Sequence, residues 1–162
     1  MNYDAHRAVG ITLGSGLGSA FFADGRIVHE GADVPPDGSV HVPTYRGGPV
    51  EDSISRRALL REYGAAPGLD VADIADRAVR DEAFASRCSC SLHKTLAEFV
   101  APLLASFRAD CLVVGGSIAR AWTLIGPALE QGLRGTPVQV ALNLDDAPLL
   151  GAARHARMQV RS

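Results

Sequence analysis

Residues 8–31 read AVGITLGSGLGSAFFADGRIVHEG, and the architecture follows from how this stretch is parsed. Two apolar runs, Ala8–Leu13 and Ala20–Ala23, flank the glycine-rich turn Gly14-Ser15-Gly16-Leu17-Gly18, and Asp24-Gly25 then leads into Arg26–His29. Asp-Gly between short apolar runs favours a two-residue hairpin, because both central positions of that turn need φ above zero. The expectation is three antiparallel strands in succession. The first is apolar almost throughout, which predicts a central strand covered on both faces.

Downstream, Gly31 to Pro49 is rich in glycine and proline and shows no period, so it reads as a long loop. Helical spacing follows. Glu51-Asp52-Ser53 supplies acids and a cap ahead of Ile54, Ala58, Leu59 and Tyr63, and Gly64 closes that helix. Asp70 opens a second helix, with Asp73 at its third position and Val71, Ile74, Ala75, Ala78 and Val79 on its apolar side. In the third, Phe84, Cys88, Leu92, Leu96, Phe99, Val100, Leu103 and Phe107 recur at helical spacing, and Pro102 is expected to kink or divide it.

After Asp110 the pattern alternates strand and helix. Cys111–Val114 is a short buried strand, and Gly115-Gly116-Ser117 leads into a helix carrying Ile118, Ala121, Trp122, Ile125 and Leu129, which Gly126-Pro127 should break. Pro137–Leu142 is a further strand and Ala147–Arg157 a last helix. Strands joined through helices become parallel neighbours with right-handed crossovers. The fold class is therefore α/β: one lobe with a mixed five-stranded sheet and helices around it.

Composition narrows the function. The chain has 162 residues, 47% hydrophobic and 21% charged, with a formal net charge of -2. That length suits one domain, and the apolar content excludes disorder. A near-neutral balance with scattered arginines offers no basic face for nucleic acid. No apolar run approaches the roughly 20 residues that span a bilayer, so no membrane contact is expected. The N-terminus lacks the layout of a signal peptide, and three cysteines cannot build a disulfide framework. Both point to the cytoplasm.

Two glycine turns carry the chemistry. In Gly14–Gly18 the glycines have no side chains to block a ligand, and the exposed backbone N–H groups can form a nest for phosphate oxygens beside the Ser15 hydroxyl. No helix follows this turn, so it is not a dinucleotide fingerprint, and it lacks the Gly-Lys-Ser/Thr ending of a P-loop. A plain tight hairpin is the other reading. Gly115-Gly116-Ser117, between a strand and a helix start, lets a flat ring or ribose lie on the backbone; equally, Ser117 reads as an N-cap.

Taken together, the two turns resemble a known family. Ile11–Gly18 followed by Ala23–Val28 resembles the second phosphate motif of the ROK family, which groups bacterial sugar kinases and sugar-responsive repressors within the actin/hexokinase superfamily. Cys111–Arg120 is similar to that family's adenosine motif, and Asp145–Ala153 to its closing helix. The resemblance covers nearly the whole chain and implies a single ribonuclease-H-like lobe, the C-terminal lobe of a two-lobed kinase. It implies that Gly14, Ser15, Gly16 and Gly18 hold the phosphates of ATP with Mg²⁺, and that Gly115, Gly116 and Ser117 line the adenosine pocket. Glu51 matches the family's sugar-contacting glutamate, though it also reads as a capping acid. His41 is the second sugar-side candidate or an ordinary loop histidine, since Gly38 stands where the family pattern has glutamate.

Other family elements are missing. The Asp-x-Gly-x-Thr hairpin and the Asn-Asp segment with the proton-accepting aspartate belong to the first lobe and do not occur here. The chain by itself is therefore not expected to phosphorylate a hexose. The family's three-cysteine zinc loop has no counterpart either: Gly31–Val50 contains no cysteine, and no zinc is expected. Cys88-Ser89-Cys90 with His93 reads as helix packing, because residues 88 and 90 face different sides. Trp122 reads as core, and Asp70, Asp73 and Asp76 as caps and solvated acids. The alternative from the same resemblance is a non-catalytic sugar-sensing or dimerising domain of a repressor, one that could not bind DNA without a winged helix. An apolar face left by the absent lobe would favour a homo-oligomer.

Overall fold

A computed structural model describes residues 5–40, 44–63, 68–133, 135–144 and 146–160. Strands β1 (Arg7–Leu13) and β2 (Leu17–Ala23) form an antiparallel hairpin, in register from Arg7 opposite Ala23 to Leu13 opposite Leu17. β3 (Arg26–Val28) continues the meander through the Asp24-Gly25 turn, where both residues have positive φ as the sequence required. β2 begins three residues earlier than its apolar run suggested. Leu17 is the reason: it is a core residue facing Leu13, so the turn shrinks to residues 14–16, closed by the Gly14 N–H on the Gly16 carbonyl.

The loop after β3 is more structured than its composition implies. A 3-10 turn at Pro36–Gly38 leads to Val40, and the Ser19 hydroxyl donates to the Gly38 carbonyl at 2.6 Å while accepting the Val40 N–H at 3.0 Å. Val34 and Val40 are buried, so apolar anchors hold this segment against β2. A two-residue ladder, β4 (Thr44–Tyr45) with β5 (Gly48–Pro49), follows, and then a 3-10 turn at Val50–Asp52.

Helix α1 (Arg56–Glu62) starts later than expected. Its cap is Ser55, which accepts the Ala58 N–H, and not Ser53, because the 3-10 turn uses up residues 50–52 and Ile54 is drawn into the core. Gly64, expected to close α1, lies outside the described residues. α2 (Val71–Arg80) carries the expected capping box between Asp70 and Asp73. It buries Val71, Ile74 and Ala78, while Val79, one residue further round the helix, is exposed. α3 (Glu82–Phe107) is capped by Asp81 and runs unbroken for 26 residues through Pro102, which does not divide it. It stops at Arg108, whose left-handed backbone ends the helix. The side chains of Cys88, Cys90 and His93 lie outside those described.

β6 (Cys111–Gly115) pairs parallel with β1, and β7 (Val138–Val140) pairs parallel with β6, giving the order β3-β2-β1-β6-β7. This is the mixed five-stranded sheet that the sequence called for. Between β6 and β7, a 3-10 turn (Ser117–Ala121) precedes α4 (Trp122–Gly132). Gly126-Pro127 does not break α4. A Cβ on Gly126 would stand 2.6 Å from the Trp122 indole, so this glycine serves packing, and Trp122 is half-buried against the core. β7 stops short of Leu142, which is exposed, and α5 (Ala147–Val160) leaves Leu149 and Leu150 largely in solvent.

The core lies on one face of the sheet. Val9, Ile11, Leu13, Phe21, Leu112 and Val114 point at Leu96, Val100, Leu104 and Phe107 of α3 and at Ile125 and Leu129 of α4. Phe21 and Phe107 meet edge to face at 5.1 Å. Each such large side chain contributes about 1.5–3 kcal/mol on burial. The central strand is not covered on both faces as its apolar run implied: Thr12 is exposed and Gly10 only half-buried. Small residues on that second face made the strand look continuous in hydropathy while leaving room above it.

Candidate functional site

β1 and β6 are parallel neighbours, so the turns that follow them emerge at the same, carboxyl end of the sheet. Gly116 touches the first strand directly. Its φ is +88°, and a Cβ there would stand 2.3 Å from the Leu13 carbonyl oxygen and 2.7 Å from the Leu13 nitrogen. Only glycine fits, since both the backbone angle and the contact with main chain exclude a side chain. A Cβ on Gly14 would in turn meet the Ser117 Oγ at 3.6 Å. Two glycine turns about a hundred residues apart thus share one rim.

The first turn is glycine-rich for a different reason than hairpin geometry alone. Gly14, Gly16 and Gly18 do not adopt positive φ. A Cβ on Gly16 would stand 2.5 Å from Glu51 Oε1, and one on Gly18 would stand 2.5 Å from Thr12 Oγ1. At these two positions a side chain would collide with the end of another side chain, not with backbone. Ser15 is exposed at the tip.

A third segment closes on the turn. The Arg56 N–H donates to the Gly14 carbonyl at 2.8 Å, and the Leu17 N–H donates to Glu51 Oε1 at 2.8 Å. Glu51 sits in the 3-10 turn ahead of α1, so it does not cap the helix as one reading proposed. The Arg56 guanidinium is held away by Asp70 at 2.7 Å, and that contact, with the Val71 N–H, keeps the Asp70 carboxyl below its ordinary range. Ser117 makes no side-chain cap either, and Gly116 occupies the capping position of its 3-10 turn.

Behind the rim, the second face of the sheet opens into a cavity of about 530 Å³ bounded by Gly10, Thr12, Gly18, Gly115, Gly116 and Leu144. The volume is that of a small-molecule site. Its walls are largely apolar and backbone, suited to a flat ring, whereas the turn above exposes the Ser15 hydroxyl and has its Gly14 and Leu17 N–H groups engaged by the Gly16 carbonyl and Glu51.

The loop ahead of Glu51 is clasped to α3. The Tyr45 hydroxyl donates to Glu98 Oε2 at 3.0 Å, the Arg46 guanidinium reaches the same oxygen at 2.6 Å, and the Tyr45 ring packs edge to face on Phe99 at 5.7 Å. The Tyr45 hydroxyl and, after it, Arg46 hold the Glu98 carboxyl below its usual range, while desolvation and Glu98 raise the Tyr45 phenol. No local pattern encodes this clasp, because its partners lie some fifty residues apart. Nor did it reveal the Glu51–Leu17 bond or Thr12 under Gly18. His41 lies outside the described residues. Among the described residues, no group of three or more His, Cys, Asp or Glu could hold a metal ion, and no helix is long and apolar enough to cross a membrane.

The chain is thus an α/β domain with a mixed β3-β2-β1-β6-β7 sheet and glycine turns at the carboxyl ends of the parallel neighbours β1 and β6. A family profile described as ROK family matches residues 1–159, and the chain belongs to the ROK family. Among solved structures, a putative sugar kinase from Cytophaga hutchinsonii superposes with a TM-score of 0.80 at 20% identity, over 94% of this chain and 58% of that one. A ROK family glucokinase from Streptomyces griseus, in complex with glucose and AMPPNP, gives 0.78 at 20% identity, over 96% of this chain and 62% of that one. A ROK family transcriptional regulator described as a homologue of the E. coli MLC protein gives 0.64 at 20% identity, over 85% and 42%. The chain thus spans 58% and 62% of the length of the two kinases. A comparison with curated protein sequences finds no significant match.

Proposed function

We propose that this chain is the nucleotide-binding lobe of a ROK-type, glucokinase-like sugar kinase, taking ATP with its Mg²⁺. Gly14, Ser15, Gly16 and Gly18 receive the phosphates, and Gly115, Gly116 and Ser117 receive the adenosine. The observation that carries this reading is the seating of Gly116 on Leu13, which joins the two turns into one rim. The residues fit the nucleotide: backbone N–H groups and the Ser15 hydroxyl suit anionic oxygens, and the cavity beside Gly115 and Gly116 suits a flat ring. ATP brings the transferable phosphoryl group. This chain's part is to orient the polyphosphate and spread its charge over fixed donors. Glu51, and His41 in the loop ahead of it, would face the hexose.

Transfer also needs a base on the sugar hydroxyl and a second phosphate clamp, and neither motif occurs in these 162 residues. The lobe alone is expected to bind nucleotide weakly and to transfer nothing. Calorimetric titration with ADP and Mg²⁺ tests this: heat should appear as ADP reaches millimolar levels, and a flat trace there overturns the nucleotide assignment. A coupled kinase assay with glucose should read blank for this chain and become positive only with a first lobe supplied.

The likeness to the ROK regulator favours a second reading, a sugar-sensing or dimerising domain of a repressor. Under either reading, the exposed Leu149 and Leu150 of α5 favour self-association in the cytoplasm. A monomer by light scattering would refute that part.

A further inference from the structure

Glu51 presents a negative charge to the β1–β2 turn from within the chain. Its Oε1 accepts the Leu17 N–H at 2.8 Å, and the same oxygen lies 2.5 Å, and its carboxyl carbon 3.4 Å, from where a Cβ on Gly16 would stand. Among the described residues, no arginine, lysine or histidine is paired with it. An unneutralised carboxylate is thus laid over Gly16 and held by a backbone N–H of the stretch proposed to hold phosphate. One N–H hydrogen serves one strong acceptor well, and two anions a few ångströms apart repel. Glu51 is half-buried, and its side chain has three rotatable bonds with which to leave.

We infer that Glu51 is an internal anion of the phosphate turn: it satisfies the Leu17 N–H while no nucleotide is present and is displaced when a polyphosphate arrives. This deepens the nucleotide reading and rests on it. The contact lowers nucleotide affinity by stabilising the free form. Any hydroxyl-rich ligand that hydrogen-bonds the displaced carboxylate must tighten nucleotide binding, and the nucleotide must tighten that ligand by the same factor.

Calorimetry with ADP and Mg²⁺ on the unmodified chain and on Glu51→Gln tests the inference. Glutamine keeps the size and an accepting carbonyl but removes the charge, so ADP should bind Glu51→Gln about fivefold tighter or more. Equal or weaker binding by Glu51→Gln overturns the inference and leaves the nucleotide reading standing. Binding by neither protein overturns both. A second measurement needs no variant: in amide NMR of the unmodified chain, the Leu17 resonance should be among those most shifted by ADP. A Leu17 resonance that stays put while ADP is bound overturns the inference.

Discussion

The two glycine turns share a rim but are glycine-rich for opposite reasons. At Gly116 the obstacle to a side chain is backbone: φ is +88° and the Leu13 main chain stands 2.3–2.8 Å from the missing Cβ. At Gly16 the obstacle is the far end of a flexible side chain, Glu51, and the backbone φ is not positive. The second turn is therefore a fixed part of the sheet, welded to the strand beside it. The first is a surface kept clear, able to exchange what lies on it. A site that must hold a nucleotide and release it gains from both: an anchored wall and an adjustable cradle.

The strongest way to break this contrast is Gly116→Ala. The new methyl meets main chain that cannot move without parting β1 from β6, and the residue must adopt an angle reserved for glycine. Strain and overpacking together are expected to cost about 3 kcal/mol or more, a large share of a domain's stability. Thermal unfolding should show a midpoint lower by roughly 6–12 °C, or no cooperative transition at all. Gly116→Ala melting like the parent protein would mean the wall is not fixed.

Gly16→Ala should cost less, roughly 1 kcal/mol, because the Glu51 side chain can swing aside. Most of that cost should vanish in a Glu51→Ala background, where the obstructing carboxylate is gone. Denaturant melts of the four proteins in this double-mutant cycle give the coupling directly. Additive effects, or a single-mutant loss as large as that of Gly116→Ala, would erase the distinction between the turns.

What could be read from sequence divides along the same line. The strands and their meander follow from local signals: Asp24-Gly25 for the hairpin, short apolar runs for strands, and strand–helix alternation after Asp110; that β6 seats beside β1 does not. The capping box at Asp70 and Asp73 is local too, and was legible. The misreadings arose where packing overruled local signals. Leu17 was pulled into β2 by its partner Leu13. Gly126-Pro127 stays within α4, with the Trp122 indole lying over the glycine, and α1 takes its cap at Ser55, just after the buried Ile54. At the site, the glycine strings announced themselves, but the reason for each glycine did not. Glu51 over Gly16, Thr12 under Gly18 and Tyr45 on Glu98 are contacts between distant positions, and no periodicity encodes them.

The smallest expected effect belongs to Ser117→Ala, and it sharpens the contrast because two roles for that serine make different demands. A capping serine contributes about 1 kcal/mol, and its loss would lower the melting midpoint by a few degrees. Ser117 is exposed, makes no cap bond and follows a glycine already at the capping position, so its stability effect should stay within about 0.5 kcal/mol. Its hydroxyl nevertheless stands at the seam, 3.6 Å from the Cβ site of Gly14, where a nucleotide bridging both turns would pass. An unchanged melt combined with weaker ADP binding would assign the serine to the ligand. A lowered melt with unchanged binding would return it to the helix, and would leave the second turn as structural support for the first.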